Sequence, residues 1–216
     1  MYQFRTILFL ILSASYLYTP TISASEFDLE LLEIQHQWAK ANYELKDDAK
    51  KQAFISLLDK SEKFIKTNPD KAESLIWSGI VNSSYAGVKG GIGALKYAKT
   101  AKRLFEEAIK IDPKALNGSA HASLGTLYYK VPGFPVGFGN KKKAESHLIK
   151  ALNINPTGID ANYFYGDYLI SRKKYKEAIP VLERALNAED RPNRPLADKG
   201  RKEEIKSALS LARSKI

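Results

Sequence analysis

The chain has 216 residues, a formal net charge of +10 and no cysteine. Without cysteine there is no disulfide, zinc-thiolate site, iron–sulfur cluster or cysteine nucleophile, and a lipoprotein anchor is excluded as well. With 44% hydrophobic and 27% charged residues, the composition is that of one globular domain or one continuous solenoid held by packing alone.

The N-terminus carries Arg5 ahead of an apolar run over 6–18, then Pro20, then the small residues Ser23, Ala24 and Ser25. A basic start, a short apolar stretch and a small-x-small site make a secretory signal peptide. The run is about 13 residues, short of the ~20 that a spanning helix needs. Residues 1–25 are therefore expected to direct export to the periplasm; retention as an uncleaved anchor is the alternative. No later apolar run is as long, so no stable membrane insertion is expected after cleavage.

Residues 27–66 read as a helix pair, with Trp38, Ala41 and Tyr43 in the first helix and Phe54, Leu57, Leu58 and Phe64 in the second. Beyond them a pattern repeats. Pro69, Pro113 and Pro156 each end an apolar, helix-period stretch, 44 and 43 residues apart. The stretches carry Ala101, Leu104 and Ala108, then Ala144, Leu148 and Ala151. Ala178, Leu182 and Ala185 make a third copy, followed by Asp190 and Pro192. Alanine at helical spacing makes a narrow, closely packing face. A partner helix precedes each stretch, over 70–85, 115–130 and 158–172, and each holds a glycine: Gly79, Gly125 and Gly166. After Pro195, residues 198–216 read as a terminal helix with Ile205, Leu209 and Ala212 on one face, the cover that a solenoid end requires.

This pattern resembles the tetratricopeptide (TPR) repeat, with its small residue in helix A and its Ala, Leu/aromatic, Ala and Pro in helix B. The resemblance covers roughly residues 70–190. It implies an all-α, TPR-like antiparallel helix-pair solenoid with a C-terminal capping helix. The expected organisation is a signal peptide over 1–25, an N-terminal helix pair over 26–69, TPR-like repeats with inserted A–B loops over 70–192, and the capping helix over 193–216. A helical bundle without a common period is the rival fold. Segments 89–95, 127–139, 158–167 and 194–201 also resemble small exported bacterial TPR proteins. More distantly the chain looks like the TPR-containing T component of TRAP transporters, a periplasmic partner of solute-binding proteins; that family is typically lipid-anchored, and this chain has no cysteine.

Two copies exceed the ~34-residue TPR unit. The excess falls between helix A and helix B both times, over 84–93 and 130–140. Two glycine-rich loops side by side on one edge are expected, and loops over a rigid scaffold often carry binding groups. Phe134 and Phe138 either pin the second loop from beneath or meet a ligand. Lys89, Gly90, Gly91 and Gly93 could hold an anion on free backbone N–H groups, but no P-loop ending follows.

Catalytic signatures are absent: there is no nucleophile elbow, and His36, His121 and His147 lie on three helices without metal-ligand spacing. His121 reads as a core or groove histidine. No enzyme activity, cofactor or metal is expected. Basic residues alternate with acids and lack interleaved aromatics, so nucleic acid is not an expected partner. The concave face of a TPR array is lined by helix A, where Tyr129, Lys130, Asp160, Tyr163 and Asp167 fall. With Lys89, Phe134 and Phe138 on the loops, these residues are the candidate partner-binding set. The expected function is that of a non-catalytic periplasmic scaffold for a protein or peptide partner. The alternative is a small-solute-binding accessory of a transport system. Groove and loops compete as the binding surface, and the oligomeric state is not legible.

Overall fold

The computed structural model describes residues 25–216; the expected signal segment, apart from Ser25, lies outside them. The described residues form nine helices and no strand. Their order is α1 (Glu26–Tyr43), α2 (Asp47–Thr67), α3 (Ala72–Lys89), α4 (Gly91–Ile111), α5 (Ala115–Lys130), α6 (Lys141–Ile154), α7 (Ile159–Ser171), α8 (Tyr175–Leu186) and α9 (Pro195–Arg213). Helices α3 with α4, α5 with α6 and α7 with α8 are the most closely packed pairs, and each pair stacks on the next.

One contact recurs in all three pairs. A Cβ on Gly79 would lie 2.5 Å from the Phe105 ring, one on Gly125 2.7 Å from Leu148, and one on Gly166 2.5 Å from Leu182. Glycine in helix A thus lets a large side chain of helix B reach the helix backbone. Ala101 and Ala108 flank Phe105, Ala144 and Ala151 flank Leu148, and Ala178 and Ala185 flank Leu182; all nine residues are fully buried. The first copy is therefore registered on Phe105 rather than on its neighbour Leu104.

The two expected loops differ. Over 84–93 there is no loop: α3 continues to Lys89, α4 begins at Gly91, and only Gly90 separates them. Gly90 and Gly91 take φ of 62° and 61°, a left-handed conformation that glycine adopts without penalty. The extra residues lengthen the helices, to 18 and 21 residues against 13 and 12 in α7 and α8. Burial of Tyr85 and Ala86, with Tyr97 packed edge-on at 4.7 Å from Tyr85, pulls this segment into helix. Over 131–140 the loop is real and tightly tied. Gly139 N–H donates to the Pro132 carbonyl at 2.9 Å, and Asn140 N–H to the Tyr128 carbonyl at 2.8 Å.

Helix α9 has two jobs. Its Ile205, Leu209 and Ala212 are buried, the first two in a core shared with α8. Its first turns meet α1, the opposite end of the chain. Gly200 lies against the Tyr43 ring so closely that a Cβ has no room. His36 Nε2 is 2.7 Å from the Asn193 carbonyl. Ala197 is buried in the same core as Trp38 and Trp77. The solenoid closes on itself.

Candidate functional site

Closure turns the concave face into a channel. Its volume is about 1660 Å³, and its walls come from helices α1, α3, α5, α7 and α9 with the ends of α4 and α8. All the A helices run the same way, so the two mouths are built differently. One is formed by the B-to-A turns and holds Asn155, Gly158, Asn187, Arg191 and Arg194. The other is formed by the A-to-B turns and holds Gly91, Ile92, Val131, Pro132 and Val136. Cationic groups gather at the first, while at the second Ile92 is 97% and Val136 66% exposed. Leu116 and Asn117, at the start of α5, line the channel in left-handed conformations with φ of 47° and 56°. Such values are uncommon for residues other than glycine and mark local strain.

The closing seam is a charge network. Asp160, in the first turn of α7, accepts from Arg191 at 2.7 Å and from Arg201 at 2.8 Å. Asp198, nearly fully buried, accepts from the Arg191 backbone N–H at 2.6 Å and from its guanidinium Nε at 2.8 Å. Arg201 also binds Glu204, which Tyr43 of α1 reaches at 3.4 Å. Burial pushes the Asp160 carboxyl up, but Arg201, Arg191 and Arg194 together outweigh it and hold it well below the usual range. Burial raises the Tyr43 hydroxyl to about 12, with Glu204 and Asp160 adding to the shift against Arg201.

The candidate residues separate into three groups. Tyr129, Lys130 and Asp167 come together: the Tyr129 hydroxyl donates to Asp167 at 2.6 Å, and Lys130 Nζ pairs with the same carboxylate at 2.7 Å. They tie α5 to α7. Asp160 belongs to the seam, and Tyr163 lies beneath the Arg201 guanidinium, 4.5 Å from its ring centre. The loop residues part company. Phe138 packs edge-on against Tyr128 at 5.9 Å, whereas Phe134 is 93% exposed. Lys89 stands at the end of α3 with its ammonium 5.9 Å from the Tyr85 ring centre.

Sequence reasoning missed two groups. The arginines 184, 191, 194 and 201 converge on the channel from α8, the turn after it and α9. The bonds that carry them onto α7, Arg184 to Asn162, Arg191 to Asp160 and Arg201 to Asp160, span 22 to 41 residues, and the nearer partners Asp198 and Glu204 do not show that the four converge. The second is a histidine pair. His121 Nδ1 and His147 Nδ1 lie 2.9 Å apart, and Tyr128 stacks on His147. At that distance one nitrogen must donate and the other accept, so the bond is lost when both rings are protonated. Burial lowers both, helped by Lys150; His147, which also faces His121, falls to about 4. No cluster of three or more metal-ligating side chains occurs among the described residues, and none of their helices is long and apolar enough to cross a membrane.

Residues 159–191, which span α7, α8 and the following turn, match the family model for the tetratricopeptide repeat. The fold is similar to that of a thermophilic TPR protein of Thermus thermophilus, with a TM-score of 0.56 and 19% identity over 87% of this chain and 90% of that one. A looser likeness is to MamA, with a TM-score of 0.45 and 18% identity over 86% of this chain and 92% of that one. No curated protein matches in sequence. Residues 159–191 are thus a tetratricopeptide repeat, and the chain built around it has the fold of TPR proteins.

Proposed function

We propose that the protein is an exported, non-catalytic adaptor that holds a segment of a protein or peptide partner inside its channel. The observation that carries this reading is the enclosure of the helix-A face, the usual docking face of such repeats, in a volume of about 1660 Å³. Small-molecule pockets are commonly about 300–1,000 Å³, so the channel has room for an extended chain segment. The walls offer hydroxyls and amides, such as Ser119, Ser123, Thr126 and Asn42, beside apolar Ile80 and Phe164.

Tyr129, Lys130 and Asp167 act in this reading as struts between repeats rather than as contacts, because their polar groups are spent on one another. The test is partner capture from native envelope extracts. Ser123→Trp, which puts an indole into the channel, should abolish capture, whereas Ile55→Trp on the outer face of α2 should not. Equal capture by both variants refutes the reading. Export is tested by fractionation and by sequencing the mature N-terminus, expected close to Ser25; a chain that keeps Met1 in the cytoplasm refutes it.

A second reading, a small-solute carrier, is favoured by the sorting of charge to one mouth and apolar side chains to the other. A ligand bound only by the folded state raises its melting temperature, so a solute library read by thermal shift tests it. No shift with any anionic or apolar solute speaks against it.

A further inference from the structure

Two tryptophans stand side by side at the seam, Trp38 and Trp77, with ring centres 5.9 Å apart. They are the chain's only tryptophans. Trp38 Nε1–H donates to Ser84 Oγ at 2.8 Å. Trp77 Nε1–H, on a side chain only 2% exposed, has no acceptor among the described residues. Over the Trp77 ring, at 4.8 Å from its centre, lies the guanidinium of Arg194. The Nε of Arg194 is likewise buried without an acceptor among the described residues. Both side chains line the channel, Arg194 at its B-to-A mouth and Trp77 within the first two turns of α3.

Indole and guanidinium are donors only, so this corner can be satisfied only by an acceptor. Nearby acidic side chains do not serve: both oxygens of Asp160 are held by Arg191 and Arg201, both oxygens of Asp198 by Arg191, and Glu204 by Arg201, while Glu189, exposed at the same mouth, bonds neither donor. A buried donor left unpaired forfeits the bonds it would make in water, so an acceptor here is favoured. Burial and the neighbouring Arg191 lower Arg194 to about 10; it remains a cation at neutral pH, incompletely compensated by Asp160 and Asp198.

We propose that Arg194 and Trp77 form a seat for a carboxylate carried on an aliphatic body, with the body running along the channel towards the apolar A-to-B mouth. A carboxylate offers two oxygens and a charge, the complement of two N–H donors of which one belongs to a cation. The direction follows from the build of the channel. Arginines crowd the mouth where the seat lies, while at the far mouth stand Ile92, Val131 and Val136, and the charged group that lines the channel there, Lys130, is bound to Asp167. Ile80, Leu116, Leu127 and Phe164 supply apolar surface along the channel. The proposal rests on the reading of the channel as the binding site, and it names the chemistry taken at one end of it. The same seat would accept a free alkyl carboxylate or a carboxylate presented by a partner segment.

The test uses the full chain and its two tryptophans as reporters, titrated with octanoate, 1-octanol and octylamine. Octanoate should bind at least about tenfold more tightly than the alcohol, the scale of one hydrogen bond to a charged group, and the amine should be weakest. Arg194→Gln should erase the preference for octanoate over the alcohol. Trp77→Phe, which keeps an aromatic face and removes the donor, should weaken octanoate several-fold as read from Trp38. Retained helicity by circular dichroism shows that each variant is folded. Octanoate no tighter than octanol, or a preference untouched by Arg194→Gln, overturns the seat. A free acid and a peptide are told apart by competition: octanoate that displaces a captured partner from wild type but not from Arg194→Gln assigns the seat to the partner's carboxylate. Failure to displace assigns it to the free acid. Loss of capture in Ser123→Trp without any octanoate preference would leave the channel reading standing and remove the seat alone. An octanoate preference with capture unaffected by Ser123→Trp would do the reverse.

Discussion

The pair α7–α8 and the seam α1–α9 use the same close approach, glycine under a large side chain, and surround it with opposite chemistry. Gly166 receives Leu182 between Ala178 and Ala185, in a core with no charge. Gly200 receives Tyr43 beside Asp160, Arg201 and Glu204. The difference is one of order in the chain. Neighbouring helices find each other through short turns, and a complementary apolar shape is enough. The seam joins residues some 160 apart, such as Tyr43 and Glu204, where any exposed apolar end could instead stack onto another copy and extend the solenoid. Buried charges that need particular partners make that closure selective.

The largest expected effect comes from breaking the seam's charge balance. Asp160→Ala leaves Arg191 and Arg201 without their shared carboxylate; removal of one partner of a fully buried pair costs about 3–5 kcal/mol, an upper bound here because Asp160 is one-third exposed and Asp198 and Glu204 remain. Leu182→Ala in the repeat should cost about 2–5 kcal/mol by loss of packing. The distinction lies in where the loss appears. In hydrogen exchange Asp160→Ala should expose α1 and α9 first, whereas Leu182→Ala should loosen α7 and α8. Equal loss of protection throughout in both variants would erase the contrast.

A smaller effect follows from the two glycines. Gly166→Val and Gly200→Val each force a side chain into occupied space, at about 1–3 kcal/mol. Gly166→Val should lower the main unfolding transition. Gly200→Val should mainly open the ring, seen as an increased radius of gyration by small-angle scattering with helicity retained. An unchanged radius would show that the seam tolerates the crowding.

How far this plan was legible in the sequence follows the same division. The repeats were readable because Ala144, Leu148 and Ala151 carry a helical period within one element, and because Gly125 recurs as Gly166. One register was off by a residue, since Leu104 and Phe105 both suit an apolar face and only Gly79 opposite Phe105 decides between them. The segment 84–93 reads as a loop from its glycines, yet only Gly90 and Gly91 need a left-handed backbone; Gly87 and Gly93 sit in helices. Asp160, Tyr129 and Asp167 were picked out for their place on helix A. What they touch was not readable, because Arg201 and Lys130 reach them from other helices.

Acid should reverse the expectation that the charged region is the pH-sensitive one. The carboxyl of Asp160 is held below its usual range, so its contribution is complete above the unfolded value of about 4 and is lost only as pH falls through the lower folded one. His147 is lowered to about 4 from an unfolded value of about 6.5, and the unfolded chain binds the proton more readily between the two. Its contribution is therefore complete above about pH 6.5 and fades towards pH 4. Within the described residues the groups that set it are His121 on α5, Lys143 and Lys150 on α6, and Glu106 on α4. Discounted for partial exposure, the loss by pH 5 is roughly 1 kcal/mol. The melting temperature should fall between pH 7 and 5 in wild type and in Asp160→Ala, and much less in His147→Gln. A fall that persists in His147→Gln would move the sensitivity elsewhere.

The smallest effect probes the struts. Tyr129→Phe removes the hydroxyl that donates to Asp167, while Lys130 still holds the carboxylate. One hydrogen bond is worth about 1 kcal/mol. Burial, followed by Asp167, keeps the Tyr129 hydroxyl protonated well above its ordinary range, so the loss should be the same at pH 7 and pH 9. If Tyr129 is a strut, Tyr129→Phe lowers the melting temperature slightly and captures partner as wild type does. Reduced capture at unchanged stability would instead make the hydroxyl a direct contact and put the α5–α7 wall, rather than the seam, at the centre of binding.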